Sequence, residues 1–120
     1  MAGEIATYFP GLQTPPLITW GPRRRRKRQR AIRLGSYDPR LSLIRIHRRL
    51  DDAQVPGWLV GFVIYHELLH HVLGVGLPAP GIRRPLHSAE FRRREAQHRR
   101  YAEAMAWEAT VLPRLLAQQD

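Results

Sequence analysis

The sequence predicts a small α+β domain: a three-stranded sheet, antiparallel or mixed, packed on a buried central helix and followed by a long C-terminal helix. Three observations favour this fold class. Short β-prone segments lie close together in the first half of the chain, residues 56–73 are apolar almost all the way round a helix, and residues 88–112 carry one apolar stripe at helical spacing. A chain of 120 residues predicts a single domain spanning residues 1–120.

The three predicted strands are residues 17–20, 31–34 and 42–48. A Gly-Pro pair ends the first strand, and the turn-forming residues 35–39 follow the second. The third alternates around Ile44 and Ile46. Because the strands lie close together in sequence, we expect a meander rather than βαβ units. Residues 1–16 show no period, so we expect irregular structure there.

Two helices are predicted in the second half of the chain. Pro56 suits the first turn of the helix at about 56–73, where a missing N–H costs nothing, and Gly74 is a plausible C-cap. Residues 74–86 are rich in Gly and Pro and predict a loop. The second helix, at about 88–112, should end or kink at Pro113. Its apolar stripe consists of Phe91, His98, Ala102, Met105, Ala109 and Leu112.

The chain is strongly basic, with 20 Lys and Arg against 10 Asp and Glu and a formal net charge of +10. Much of the excess lies in one run, which cannot be buried and therefore predicts an exposed loop at 22–30: Arg23, Arg24, Arg25, Arg26, Lys27, Arg28 and Arg30. The run is interpreted either as solvated surface or as a site that attracts a polyanion, chiefly nucleic acid, by counterion release. Charge alone does not choose between these interpretations.

The chain contains no cysteine, which excludes disulfides, thiolate zinc sites and a cysteine nucleophile. Residues 1–10 lack the basic and apolar regions of a signal peptide, and no uncharged apolar run is long enough to cross a bilayer. We therefore expect a cytoplasmic, monomeric protein that does not contact a membrane.

A His-Glu-x-x-His motif lies within the predicted buried helix. His66 and His70 are one helical turn apart on one face, so both imidazoles can reach a single metal ion. Glu67 lies about 100° round the helix, where it can act on a water without being a ligand. Such a site can lower the pKa of a bound water to about 7, and the glutamate can then take its proton. The alternative is a set of hydrogen-bonded core residues without a metal.

A catalytic zinc site usually has three protein ligands, so a third must come from elsewhere in the chain. The candidates are His71, His87, His98, Glu90 and Glu95. His71 points about 100° away from His70, and His98 lies roughly 16 Å along a helix from His87, so it is expected to pack against the first helix instead. We predict His87 as the third ligand, with Glu90 as the alternative.

Two motifs together resemble the SprT-like zinc metalloprotease domain. The His-Glu-Leu-Leu-His sequence at 66–70 is similar to the family's active-site helix, and the His-Ser-Ala-Glu-Phe sequence at 87–91 is similar to the start of its second helix. The small size is similar to that of the minigluzincins, which are single-domain zincins. The order of the predicted strands also fits, so the resemblance covers roughly residues 12–107.

The resemblance implies a zincin-like fold and a zinc-dependent metalloendopeptidase that acts on a protein or peptide substrate. It implies one Zn²⁺ bound by His66, His70 and His87. It also implies that Glu67 is the general base of peptide hydrolysis.

The resemblance further implies a substrate that lies extended along the edge strand of the sheet, by β-augmentation. That strand would be residues 42–48, where Arg45 or His47 would line the cleft. The chain departs from the family in two ways: it has little room for the usual long N-terminal helix, and it lacks the cysteine-rich ribbon that many members use to find DNA. The basic run at 23–30 is a candidate replacement for that ribbon.

Three alternatives stay open from the sequence. The first is a basic nucleic-acid-binding protein, including a DNA-associated protease. The second is a pseudo-enzyme whose zinc is structural. The third is another kind of zinc hydrolase, because related metal-dependent hydrolases share a His-Ser-x-x-Phe ending. Tyr101 is a candidate for stabilising an oxyanion, although a single helix tyrosine is usually a packing residue.

Overall fold

A computed structural model of the protein describes residues 2–12, 14–22, 32–73 and 87–117. The elements in chain order are α1 (Ala2–Tyr8), β1 (Leu17–Trp20), β2 (Gly35–Asp38), β3 (Leu43–Ile46), a short 3₁₀ helix (Arg48–Leu50), α2 (Gly57–Leu73), α3 (Ala89–Ala96) and α4 (Tyr101–Ala117). The predicted α+β class with a three-stranded mixed sheet is therefore confirmed. The predicted basic loop at 22–30 lies outside the described residues from 23 onward, as does the whole of the predicted loop at 74–86.

The sheet has the order β1-β3-β2, with β1 parallel and β2 antiparallel to β3. The predicted meander is wrong, because β3 lies between the two strands that precede it in sequence. Its side chains explain this central position: Ile44 and Ile46 are 0% and 3% exposed and belong to the main core. A strand whose apolar residues are this deeply buried belongs in the middle of a sheet rather than at its edge.

The central position of β3 also corrects the predicted substrate cleft. Residues 42–48 do not form the edge strand, so a peptide cannot add to them. Arg45 forms an ion pair with Asp38 (3.7 Å), and the Nδ1 atom of His47 accepts a hydrogen bond from the backbone N–H of Arg49 (3.0 Å). Neither side chain lines the cavity described below.

The second strand lies later in the chain than predicted, at Gly35–Asp38 instead of 31–34. Residues 32–34 precede the strand, and residue 31 lies outside the described residues. The turn comes after β2: the Asp38 side chain accepts hydrogen bonds from the backbone N–H groups of Arg40 (2.9 Å) and Leu41 (3.3 Å), and Ser42 has a φ of 49°. Asp38 ends the strand, and the predicted turn is displaced by a few residues.

Helix α2 is the centre of the fold, as its continuous apolar sequence predicts. It contacts β2, β3 and each of the other α-helices. Its buried side chains include Leu59, Phe62, Val63, Leu68 and Leu69. The predicted bounds of about 56–73 agree with the observed Gly57–Leu73. The motif at 66–70 therefore lies on the central, largely buried helix of the domain.

The single second helix predicted at 88–112 is two helices, α3 and α4, separated by a turn at residues 97–100. The break occurs around His98, whose Nδ1 atom accepts a hydrogen bond from the backbone N–H of Arg100 (3.0 Å). The His98 ring is buried and packs against Tyr8, Phe62 and Tyr65. The prediction that His98 packs against the helix at 56–73, now α2, is confirmed. This packing favours a turn at His98 over a continuous helix.

Helix α4 continues through Pro113 to Ala117. The prediction that the helix ends at this proline is therefore wrong. Two features stabilise the last turn: Leu115 and Leu116 are buried, and an Arg49 guanidinium N–H donates to the Leu115 carbonyl (2.6 Å). The predicted apolar stripe is wrong in part, since Ala102 and Ala109 are exposed.

Residues 2–8 form helix α1, where irregular structure is predicted. Tyr8 packs on Tyr65 and His98, with ring centroids 4.7 and 4.8 Å apart, and Phe9 is buried against the same Tyr65 ring. A helix this short is marginal in isolation, so tertiary packing rather than local periodicity stabilises it. None of the helices in the described ranges is long and apolar enough to cross a membrane.

Candidate metal centre

Three histidines meet beside the C-terminal half of α2. His66 and His70 come from α2, and His87 immediately precedes the first turn of α3. Their candidate ligand atoms all lie within 4.8 Å of one another, and their ring centroids are 5.0 to 5.2 Å apart. This group could hold one metal ion. It consists of the three histidines predicted from the sequence.

The local sequence explains how His87 comes to lie beside α2. Ser88 is the N-cap of α3, with extended backbone angles, and its hydroxyl accepts a hydrogen bond from the backbone N–H of Phe91 (3.1 Å). Phe91 is fully buried, and its ring lies 4.6 to 5.0 Å from all three imidazole rings. The Ser88 cap and the ring contacts of Phe91 together fix the start of α3 against the two histidines of α2.

A second contact fixes α3 along its length. The buried Tyr65 hydroxyl donates a hydrogen bond to the backbone carbonyl of Arg94 (2.6 Å). Tyr65 directly precedes His66 in α2, and Glu95 directly follows Arg94 in α3. This bond therefore brings Glu95 to the back of the His66 ring.

Glu95 contacts one of these histidines and is not part of the group that could hold a metal ion. Its carboxylate is hydrogen-bonded to Nδ1 of His66, which leaves Nε2 as the nitrogen for a metal. Metal-binding histidines commonly donate their second ring N–H to a carboxylate in this way, which fixes the tautomer and the ring orientation. Sequence reasoning lists Glu95 only as a candidate ligand. The distance in sequence between His87 and Glu95 does not reveal that Glu95 contacts His66.

Neighbouring charges and burial act in opposite directions on the pKa of His66. Burial by itself would lower its pKa. The hydrogen bond to Glu95 and the charges of Glu67 and Glu108 outweigh burial, so the pKa of His66 lies above its ordinary value. The pKa of His87 is instead lowered, by burial and by the neighbouring His66.

The other candidate ligands lie elsewhere. The His71 ring contacts the Tyr37 hydroxyl through Nδ1 (2.7 Å) and the Thr14 carbonyl through Nε2 (3.2 Å), on the sheet side of α2. Since a carbonyl only accepts, Nε2 carries the hydrogen and the Tyr37 hydroxyl donates to Nδ1. Glu90, the alternative third ligand, is exposed and pairs with Arg93 (3.7 Å), outside the metal-binding group.

Glu67 lies beside the histidines but points towards β2. It is 4% exposed. Burial raises its pKa above the ordinary value, while the positive charges of His66 and Arg33 act in the opposite direction. A raised pKa makes this carboxylate a stronger base than one in water.

The side of Glu67 away from the histidines is shaped by Gly35. A β-carbon at position 35 would lie 2.8 Å from Cγ1 of Val63 and 3.1 Å from Oε2 of Glu67. Only glycine lets the edge strand approach α2 this closely. Sequence reasoning assigned Gly35 to a turn and missed this role. A glycine among β-prone residues was the available signal, because it can mark a close backbone approach.

The three histidines and Glu67 line one cavity of about 460 Å³. Its lining comprises Ile32, Arg33, Leu34, Gly35, Tyr37, Phe62, Val63, His66, Glu67, His70, His87, Glu95, Met105 and Glu108. Sequence reasoning did not single out Arg33 or Glu108. Tyr101, the sequence candidate for oxyanion stabilisation, is not part of the lining; its ring lies 6.3 Å from that of Phe62.

The fold and the site define a small α+β domain with a three-histidine site beside a buried glutamate. A scan against protein-family models, a search of curated proteins and a search of solved structures each found no match. The resemblance to SprT-like proteases therefore depends on the motifs at 66–70 and 87–91 and remains a prediction. The nucleic-acid interpretation of residues 23–30 also remains a prediction, since these residues lie outside the described ranges.

Proposed function

We propose that the protein is a zinc-dependent metallopeptidase that cleaves internal peptide bonds, with Glu67 as its general base. One observation carries this proposal: three histidines that could hold a metal ion and a buried glutamate line the same cavity. Three imidazoles without a thiolate are a donor set found in catalytic zinc sites, which keep one position open. Among the described residues the metal-binding group has no fourth side chain, which favours an open site over a structural one.

The residues present fit zinc in detail. His66, His70 and His87 would hold the ion, and Glu95 would keep the His66 ring in the tautomer that binds through Nε2. Bound zinc supplies Lewis acidity to a water and to the scissile carbonyl. Phe91 closes one side of the three rings and limits access from the core.

Glu67 performs the proton transfers in this proposal. Its carboxylate takes a proton from the attacking water and later delivers it to the leaving amine. Burial, which raises its pKa, suits both roles because the group can exchange a proton closer to neutral pH. The close approach of Gly35 restricts the movement of the carboxylate and so holds it in position.

The edge strand for an extended substrate is β2. The backbone N–H of His47 donates to the Leu34 carbonyl (2.9 Å), so Leu34 belongs to a hydrogen-bonded pair with β3. Hydrogen-bonding direction alternates along an antiparallel strand, so the N–H and C=O groups of Gly35 and Tyr37 point away from β3. No strand among the described residues pairs with that side. A peptide added there would lie against the cavity beside Glu67.

The substitution Glu67→Gln tests the proposal. It should retain one zinc per chain, because Glu67 is not a ligand, and should abolish hydrolysis of casein and of quenched fluorescent peptides. Glu103→Gln is a matched control, since Glu103 is exposed on α4 and pairs with Arg100 (2.8 Å). Zinc content by elemental analysis and hydrolysis rates are measured on the same preparations. Unchanged hydrolysis in Glu67→Gln would exclude the proposed mechanism.

A further inference from the structure

Glu108 on α4 differs from most acidic residues of this basic protein. Most carboxylates in the described ranges form a hydrogen bond or ion pair with a basic side chain: Asp38 with Arg45, Asp51 with Arg48, Asp52 with Arg49, Glu90 with Arg93, Glu95 with His66 and Glu103 with Arg100. Glu67 and Glu108 are the exceptions among side chains that the structure describes. Both line the cavity.

Glu108 is half-buried and lines the same cavity as the three histidines. Burial raises its pKa, and so does the neighbouring charge of Glu95, while the charge of His66 acts in the opposite direction. A half-buried carboxylate with no ion-pair partner among the described residues costs free energy, even in a chain whose cations outnumber its acids. Glu67 has a reason to carry this cost, because a general base must be free to accept a proton. Glu108 has no such role in the proposed mechanism.

The surroundings of Glu108 suit a long cationic side chain. Met105 lies one helical turn before Glu108 on α4, and both line the cavity together with Phe62. A thioether and an aromatic ring can pack against the aliphatic stem of Lys or Arg while the charged end reaches a carboxylate. A Lys or Arg side chain would therefore find both an apolar wall and an opposite charge in this part of the cavity.

We propose that Glu108 is a specificity-determining residue that binds a Lys or Arg side chain of the substrate next to the bond that is cleaved. This proposal rests on the proposed peptidase function. The charge of Glu108 pairs with the substrate cation, and Met105 and Phe62 contact its stem. The enzyme accordingly prefers basic residues at one position beside the cleavage site.

A competing role for Glu108 is to balance the charge of the metal. Glu95 already contacts His66, and a second carboxylate in the cavity would add to that negative field. The two roles differ in what Glu108→Gln changes. A charge-balancing residue affects zinc affinity, whereas a substrate-binding residue affects discrimination between peptides.

The first experiment compares two fluorescent peptides that differ only in Lys or norleucine at the preferred position. Because charge-assisted hydrogen bonds are the stronger ones, the wild-type preference for Lys in kcat/KM should fall about ten-fold or more in Glu108→Gln, mainly through KM. Glu103→Gln should retain the preference, and Glu108→Asp should retain part of it. An unchanged Lys preference in Glu108→Gln, or a loss of zinc without a change in preference, would overturn the proposal.

The second experiment separates this proposal from the peptidase function. The zinc-loaded Glu67→Gln protein is titrated with n-butylguanidinium and with neutral pentanamide, and binding is followed by NMR. The cation should bind at least about ten-fold more tightly than the amide, and adding Glu108→Gln should remove that difference. If no peptide is cleaved but this result holds, the cation site stands and the peptidase proposal fails. If both probes bind equally, the cation site is wrong.

Discussion

Two sides of α2 carry different groups: one side carries histidines that could hold a metal ion, and the other carries a buried carboxylate. His66 and His70 face α3, where their rings meet His87, and the His66 side chain stays 25% exposed. Glu67 and His71 face the sheet, where Glu67 is 4% exposed against β2. One residue of helical rotation therefore separates a partly exposed group of ring nitrogens from a buried carboxylate. In the proposed peptidase this difference suits the two roles, because metal ligands must remain reachable by an ion and a substrate, whereas a general base gains strength from burial.

The largest contrast between the two sides is expected from the neighbours His70 and His71. If the proposal is right, His70→Ala removes one of the three proposed ligands and should reduce zinc from one ion per chain to nearly none after dialysis. His71→Ala removes the bonds to Tyr37 and Thr14 and should keep the zinc, at a stability cost of about 1 kcal/mol per lost hydrogen bond.

Elemental analysis and thermal unfolding of the two variants measure this contrast. Equal zinc loss in both variants would show that the two sides are not functionally separate. The substitutions are matched in residue type and helix position, so a general effect on α2 would appear in both.

The support given to His66 by α3 should have the next largest effect. Glu95→Gln keeps an oxygen that can accept from Nδ1 of His66 but removes the charge, and zinc affinity should fall roughly 10- to 100-fold. Competition with a chromophoric chelator measures this affinity. Glu90→Gln on the same helix is the control, since Glu90 is exposed and pairs with Arg93. Equal affinities in the two variants would mean that Glu95 does not tune the site.

The side of α2 that carries His66 and His70 could be predicted from the sequence because its determinants are local. Helical periodicity places His66 and His70 on one face, and the continuous apolar sequence predicts the helix to within about one residue. His87 follows from a short motif whose serine caps α3. Each of these features needs only a few neighbouring residues to form.

The sheet side could not be predicted as well, because its determinants are distant in sequence. The insertion of β3 between β1 and β2 depends on burial against α2, which no single strand reveals. On the α3 side one feature also depends on a distant contact: the break between α3 and α4 depends on the packing of His98 against Tyr8, which is far from it in the chain. The contact of Gly35 with Glu67 likewise joins separate elements, so local turn propensity gave the wrong interpretation.

A methyl group at position 35 tests the sheet side directly. Gly35→Ala brings a β-carbon to 2.8 Å from Val63 and 3.1 Å from Glu67, so the strand or these side chains must move. We expect a loss of about 1 to 3 kcal/mol in the free energy of unfolding and lower peptidase activity with zinc retained. Gly57→Ala is the control, because nothing lies within 4 Å of a β-carbon there. Denaturant unfolding that is unchanged in Gly35→Ala would contradict the close approach.

The smallest expected effect concerns the burial of Glu67 in the metal-free protein. Burial raises its pKa in the folded state, so folding favours the protonated form. Below the ordinary pKa of a glutamate the group is protonated in both states, and Glu67→Gln should match the wild type in stability. As the pH rises through the higher folded pKa, only the wild type must ionise a buried carboxylate, and it loses stability relative to the variant. At pH 7 the variant should be more stable by an amount on the order of 1 kcal/mol.

Urea unfolding of both proteins between pH 4 and pH 7, in a chelating buffer, measures the difference, with the exposed Glu103→Gln as reference. A difference that does not grow with pH would mean that Glu67 is solvated in the folded protein, and the contrast between the two sides of α2 would then be one of direction only.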